Sequence, residues 1–245
     1  MQAAAVESIV AGRHGDAFAV LGPHEGTVSA WLPQAEAAWL IVPSSNGSLV
    51  IEMTRAHESG LYTGTTARLD YRIRVRLYSG EILELDDPYR FPPLLTPFEL
   101  HLHGEGTNYE SYRTMGAHTV QCDGVNGVRF AVWAPNAAVV SVLGDFNGWD
   151  RTRHPMRLRD GGIWEFFMPG LESGATYKYS VLSKLGGAQD KSDPYGFYAE
   201  LSPKTASVVW PLNGHHWRDD AWMEQRAKKN WVHQPMSIYE VHLGS

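Results

Sequence analysis

Val132-Trp133-Ala134-Pro135 restates, 102 residues further on, the segment Ala30-Trp31-Leu32-Pro33. Gly162-Ile163-Trp164 repeats Gly60-Leu61-Tyr62 at the same offset, and Asp193-Pro194-Tyr195 repeats Asp87-Pro88-Tyr89 at an offset of 106. One small insertion therefore separates two copies of a single unit of roughly a hundred residues. A duplicated unit with no shared catalytic constellation points to binding or scaffolding. The last residues, Met236 to Ser245, belong to neither copy.

Period-two patterns fill both copies. In Tyr71-Arg-Ile-Arg-Val-Arg-Leu77 four apolar side chains alternate with Arg72, Arg74 and Arg76, which predicts a strand with one buried face. Similar strands are expected at 28–32, 39–42 and 49–53, and in the second copy at 128–133, 139–143, 164–168 and 177–181. Gly and Pro turns separate them, so the reading is an antiparallel β-sandwich and not a βαβ sheet. Val6, Ile9 and Val10 sit at helical spacing ahead of Gly12 and predict a short leading helix. A second short helix is expected at 219–226, and Ser237-Ile-Tyr-Glu-Val-His-Leu243 reads as a strand buried on both faces. The fold class is all-β: two tandem immunoglobulin-like β-sandwich modules at 1–105 and 106–225, then a linker and one further strand at 226–245.

Composition narrows the function. The chain is 43% hydrophobic and 20% charged with a net charge of -6, and its basic residues do not cluster beyond Lys228-Lys229, which argues against nucleic acid. No stretch approaches eighteen apolar residues, so no membrane partner is expected. The single cysteine, Cys122, has no intrachain disulfide partner, which fits a reducing, cytoplasmic setting. Nine tryptophans and eleven tyrosines supply flat amphipathic surface, most of it expected to fill sandwich cores.

The candidate site centres on Asp145-Phe146-Asn147-Gly148-Trp149. Asn147-Gly148 can take the positive backbone angles of a tight turn, with Phe146 filling the core. Alternation turns Lys178 outward between Tyr177 and Tyr179. The Asp-Pro-Tyr segments read as turns, since Asp-Pro initiates turns and the motif recurs in both copies. His101, His103, His215 and His216 read as solvated linker histidines, and Gly104-Glu105-Gly106 as a flexible joint. No cofactor or metal motif is present.

Three segments together resemble one enzyme family. Phe130-Ala-Val-Trp-Ala-Pro-Asn-Ala-Ala-Val-Val-Ser-Val-Leu-Gly-Asp-Phe-Asn-Gly-Trp149 is similar to the starch- and glycogen-binding sandwich that precedes the catalytic barrel of branching and debranching enzymes. Arg13-His-Gly-Asp-Ala-Phe-Ala-Val-Leu-Gly-Pro-His24 resembles the start of the extra N-terminal module of long bacterial branching enzymes. Tyr239-Glu-Val-His-Leu-Gly-Ser245 is similar to the first strand of their (β/α) barrel.

The resemblance implies the N-terminal region of a 1,4-α-glucan branching enzyme, which cuts an α-1,4 chain and rejoins it through an α-1,6 bond in glycogen synthesis. Its implied partners are α-glucan (glycogen, amylose or maltooligosaccharide) and the enzyme's own catalytic barrel. Such retaining transfer needs a nucleophilic carboxylate and a carboxylic acid about 5 Å apart. In that family both lie on later barrel strands, outside residues 1–245, so no catalytic residue is expected here. Trp149, Lys178 and Asn147 are the implied glucan-binding residues. The family's second tryptophan has no counterpart in Leu185-Gly-Gly-Ala-Gln189, which predicts weak binding. Rival readings are a debranching or trehalose-releasing hydrolase of the same superfamily, and a non-catalytic glycogen-targeting module.

Overall fold

The computed structural model describes residues 3–244; Met1, Gln2 and Ser245, the last closing the barrel-like segment, lie outside it. Residues up to Pro211 form one compact unit, and residues from Leu212 form another.

The first unit opens with α1 (Ala3–Val10), which ends at Gly12 with φ +62°. The strands β1 (Gly22–His24), β2 (Thr27–Trp31), β3 (Ala35–Ser44), β4 (Gly47–Glu52), β5 (Thr54–His57), β6 (Leu61–Thr65), β7 (Arg72–Leu77) and β8 (Ile82–Leu85) follow. They make two antiparallel sheets, ordered β1-β2-β6-β5 and β4-β3-β7-β8. Val28, Leu40, Val42, Met53, Tyr62, Ile73 and Val75 fill the space between them. The alternation read at 71–77 holds: Ile73 and Val75 are buried, while the intervening arginines pair with acids across the outer face, Arg74 with Glu84 and Arg76 with Glu36.

After the connecting helix α2 (Pro97–Glu105), the second set comprises β9 (Gly116–Cys122), β10 (Val125–Trp133), β11 (Ala137–Gly144), β12 (Arg157–Leu158), β13 (Ile163–Pro169), β14 (Thr176–Ser183), β15 (Ala188–Lys191), β16 (Tyr198–Ala199) and β17 (Ser207–Val208). One sheet runs β12-β13-β10-β9, the other β11-β14-β17-β16 with β15 also on β14.

The duplication holds at the level of register. Trp31 pairs Leu61 and Trp133 pairs Ile163; a bulge interrupts β3 between Ala35 and Ala37, and another interrupts β11 between Ala137 and Val139. The Trp-x-Pro and Gly motifs form one joint: Leu32 N donates to Gly60 O at 2.8 Å, and Ala134 N to Gly162 O at 2.9 Å. Both glycines have positive φ, and a Cβ on either would come within 2.6–2.7 Å of the motif proline's Cα. Glycine is required on both counts.

The two copies are not separate beads. Ile9, Ala17, Leu21, Trp31, Leu61 and Tyr89 belong to the core that also holds Phe130, Phe166, Trp164 and Tyr177 of the second sandwich. Phe18 and Tyr89 both lean on Phe166, with ring centroids 6.1 and 5.7 Å away. The connector is docked as well. Glu165, 3% exposed, accepts Leu94 N at 2.6 Å and Leu95 N at 2.7 Å and pairs with Arg159.

The linker histidines His101 and His103 lie on α2, which starts where Thr96 and Glu99 form a capping box around Pro97, and His101 is exposed. One expectation for this connector is corrected. Gly104-Glu105-Gly106 is the helix end, closed by Gly106 at φ +73°, and not a flexible joint.

The second unit carries α3 (Asp220–Arg226), as the acidic start predicts, and a short turn at Trp231–His233. Residues 237–243 form no strand: a β-ladder needs a paired strand, and none of the four sheets of the described residues includes this segment.

Candidate functional site

β11 ends at Gly144, where a Cβ would strike Thr176 O at 2.2 Å, so strand and turn meet at van der Waals limits. Asp145–Asn147 then form one 3-10 turn. The positive angles fall on Gly148 at φ +65° and Trp149 at φ +59°, not on Asn147-Gly148 as the hairpin reading had them. A tryptophan in the left-handed region costs about 1–2 kcal/mol and persists only where its surroundings impose it. Here Trp149 N donates to Gly144 O at 3.0 Å and Nε1 to Asp145 Oδ1 at 2.8 Å. The ring is thereby aimed and remains 37% exposed.

Asp145 Oδ2 accepts from Thr176 Oγ1 at 2.6 Å; this bond, then the one from Trp149, holds the carboxyl below the usual carboxylate range. Asn147 lies underneath, 2% exposed. Its Oδ1 accepts Gly144 N at 3.0 Å, and Nδ2 donates to Val142 O at 3.0 Å and to His154 Nδ1 at 2.8 Å. With its amide so occupied, Asn147 braces the turn from inside instead of facing a ligand. His154 can accept there because burial, reinforced by Arg153, depresses its pKa to about 3. Phe146 packs inward against Phe130 and His154, as the strand pattern predicted.

Lys178 does point outward between buried Tyr177 and Tyr179, and its Nζ donates to Thr205 Oγ1 at 2.7 Å. Trp149 and Lys178 thus share the lining of one open cleft of about 830 Å³, together with Asp145, Thr176, Glu200 and Thr205. Arg151 and Asp190, on the same lining, make a bidentate pair at 2.9 and 2.8 Å that lowers the carboxyl's pKa. Thr176 was not singled out in the sequence, although its spacing of two from Lys178 on β14 puts it on the same face. Arg151 and Asp190 lie 39 residues apart with no local pattern to join them. Leu185 is 99% exposed at the β14–β15 turn, so no ring stands there.

The arrangement suits a neutral, hydroxyl-rich ligand: one aimed ring, an ammonium, hydroxyls and ionised carboxylates as acceptors. Asp145 and Asp190 in this lining are both held in the ionised form. The raised carboxyls lie elsewhere. Asp87, 2% exposed, accepts Tyr71 Oη at 2.6 Å and Tyr89 N at 2.9 Å; Asp193, 8% exposed, accepts Tyr177 Oη at 2.6 Å and Tyr195 N at 2.8 Å. Burial pushes both up, Asp87 to about 6. The Asp-Pro-Tyr turns are therefore also the acceptors of a tyrosine fixed sixteen residues upstream in each copy.

Residues 2–89 match the profile of the alpha-1,4-glucan branching enzyme GlgB N-terminal domain, and residues 114–196 that of carbohydrate-binding module 48, the isoamylase N-terminal domain. The chain is 50% identical to 1,4-alpha-glucan branching enzymes GlgB from Rubrobacter xylanophilus and Paramagnetospirillum magneticum, over 98% of its own length and 34% and 33% of theirs. The chain carries the N-terminal region of the GlgB branching-enzyme family. It spans about a third of the length of these relatives. The GlgB enzyme of Rhodospirillum rubrum is 45% identical over 98% of the chain and 34% of its own length. A solved pullulanase complexed with maltotetraose, from Anoxybacillus sp. LM18-11, is 18% identical over 88% of the chain and 27% of its own, with a TM-score of 0.36, too low to bear on fold or function. Within this GlgB region the Trp149 turn, Lys178 and the Asp193 turn all fall inside the carbohydrate-binding module.

Proposed function

We propose that this chain is the glucan-contacting and supporting front of a 1,4-α-glucan branching enzyme. The parent transfers α-1,4-glucan segments to 6-hydroxyls in glycogen synthesis, in the cytoplasm, with its catalytic acids on the barrel that these sandwiches support. The chain's own part is to hold α-glucan at the Trp149 cleft without turnover. The observation that carries this reading is Trp149 itself, whose strained left-handed backbone and bond to Asp145 hold its ring over a cleft where Lys178 and Thr176 present hydrogen-bonding groups. A costly backbone conformation that keeps a ring open to solvent supports a ligand-binding role.

Titration of maltoheptaose against the wild-type chain and Trp149→Ala tests it. A stacked ring contributes on the order of 1 kcal/mol beyond area burial, so the variant should bind roughly five-fold more weakly. Equal affinity, or no binding by either protein, would reduce the second sandwich to a scaffold.

A further inference from the structure

The cleft accounts for one aromatic platform, yet the same sheet face carries two more rings. Cross-strand partners project to one face of a sheet. Thr176 is opposite Val208, and Val208 is opposite Tyr198, so Tyr198 stands on the face that presents Thr176 and Lys178. Glu200, two residues beyond Tyr198, and Ala206, two before Val208, line the cleft and confirm the facing. Trp210, two residues after Val208, lies against Tyr198 with ring centroids 4.8 Å apart and planes tilted 34°. Both rings are half exposed, 50% for Tyr198 and 49% for Trp210, while Val208 between Thr176 and Tyr198 is buried as an apolar floor.

We propose that Tyr198 and Trp210 form a second stacking subsite for the same α-1,4-glucan chain, reached when the chain leaves the Trp149 cleft across β14, β17 and β16. This rests on the reading of that cleft as a glucan site. From β11, which delivers Trp149, to β16 is three strand spacings, roughly 14 Å. On this spacing maltotriose seated at Trp149 should stop short of the ring pair, and maltoheptaose should cover it.

The test compares maltotriose with maltoheptaose by chemical-shift titration of the 245-residue chain, with thermal melts to establish that each variant is folded. Tyr198→Ala and Trp210→Ala should weaken maltoheptaose on the order of five-fold and leave maltotriose unchanged, whereas Tyr198→Phe, which keeps the ring, should bind both as wild type does. Trp149→Ala should weaken both ligands. Wild-type maltoheptaose affinity in the two alanine variants, beside a weakened Trp149→Ala, would overturn the subsite and leave the cleft standing. Equal weakening of both ligands would show that the rings only support the cleft, and overturns it too. No effect of Trp149→Ala on either ligand removes the cleft reading and the subsite with it.

Discussion

The paired Tyr71–Asp87 and Tyr177–Asp193 contacts place a buried carboxylate at one point of each sandwich, where desolvation outweighs the hydrogen bonds that favour its ionised form. The sign of the pH dependence follows. Asp87 is raised to about 6 when folded from 3.8, so between those values the folded state holds a proton that the unfolded state has lost. Its contribution to stability is full below about pH 4 and is lost as pH rises through about 6. The melting temperature of wild type relative to Asp87→Asn should therefore fall as pH is raised from 4 to 7; a difference that stays constant or grows would contradict the assignment. His154 works in the opposite sense over the same range. Its pKa is depressed to about 3, so the stability it lends is present above its unfolded value near 6.5 and lost on acidification toward 3.

At the scale of elements, the joint between Trp-x-Pro and Gly is the most constrained piece of each copy. Gly162 combines φ +79° with a projected Cβ contact of 2.6 Å to Pro135 Cα, while its neighbour Gly161 has φ +72° and open space. Gly162→Ala should cost about 2–4 kcal/mol and Gly161→Ala about 1 kcal/mol, because only the first adds a clash to the backbone penalty. Denaturant titrations of the two variants check this, and equal losses would mean that the proline does not confine the site. Such joints were legible in the sequence because Gly, Pro and Trp recur at fixed offsets, and the long alternating strands were legible because one face is buried. The short strands β12, β15, β16 and β17 were not, since two to four residues carry no period. Nor was α2, whose apolar residues form no stripe and whose start is set by Thr96 and Glu99. In the candidate site, strand alternation turned Lys178 outward, while Trp149 was singled out through the family resemblance. Asn147 could not be placed as a buried brace, because the same Asn-Gly pair fits a hairpin turn, and Arg151–Asp190 depends on a strand pairing that only the folded sheet creates.

At the scale of the molecule, the leader is an organ of the second sandwich although it is the first in sequence. Ile9 at 2% exposure and Leu21 at 1% sit in the core that also holds Phe130 and Phe166. Deleting residues 1–21 should therefore lower stability by at least about 3–6 kcal/mol, counting roughly 1.5–3 each for Ile9 and Leu21 alone. The loss should be seen as faster amide exchange in β10 and β13 before β3 and β7. Protection that is lost first in β3 and β7 would place the leader's weight in the wrong copy. Tyr89 makes the same connection from the far end of the first copy, leaning on Phe166 beside Phe18. The practical result concerns protein engineering: a carbohydrate tag excised at residues 114–196 would leave behind Ile9, Phe18 and Tyr89, the plugs of its own aromatic socket, and would be expected to clump unless those three are carried along or replaced.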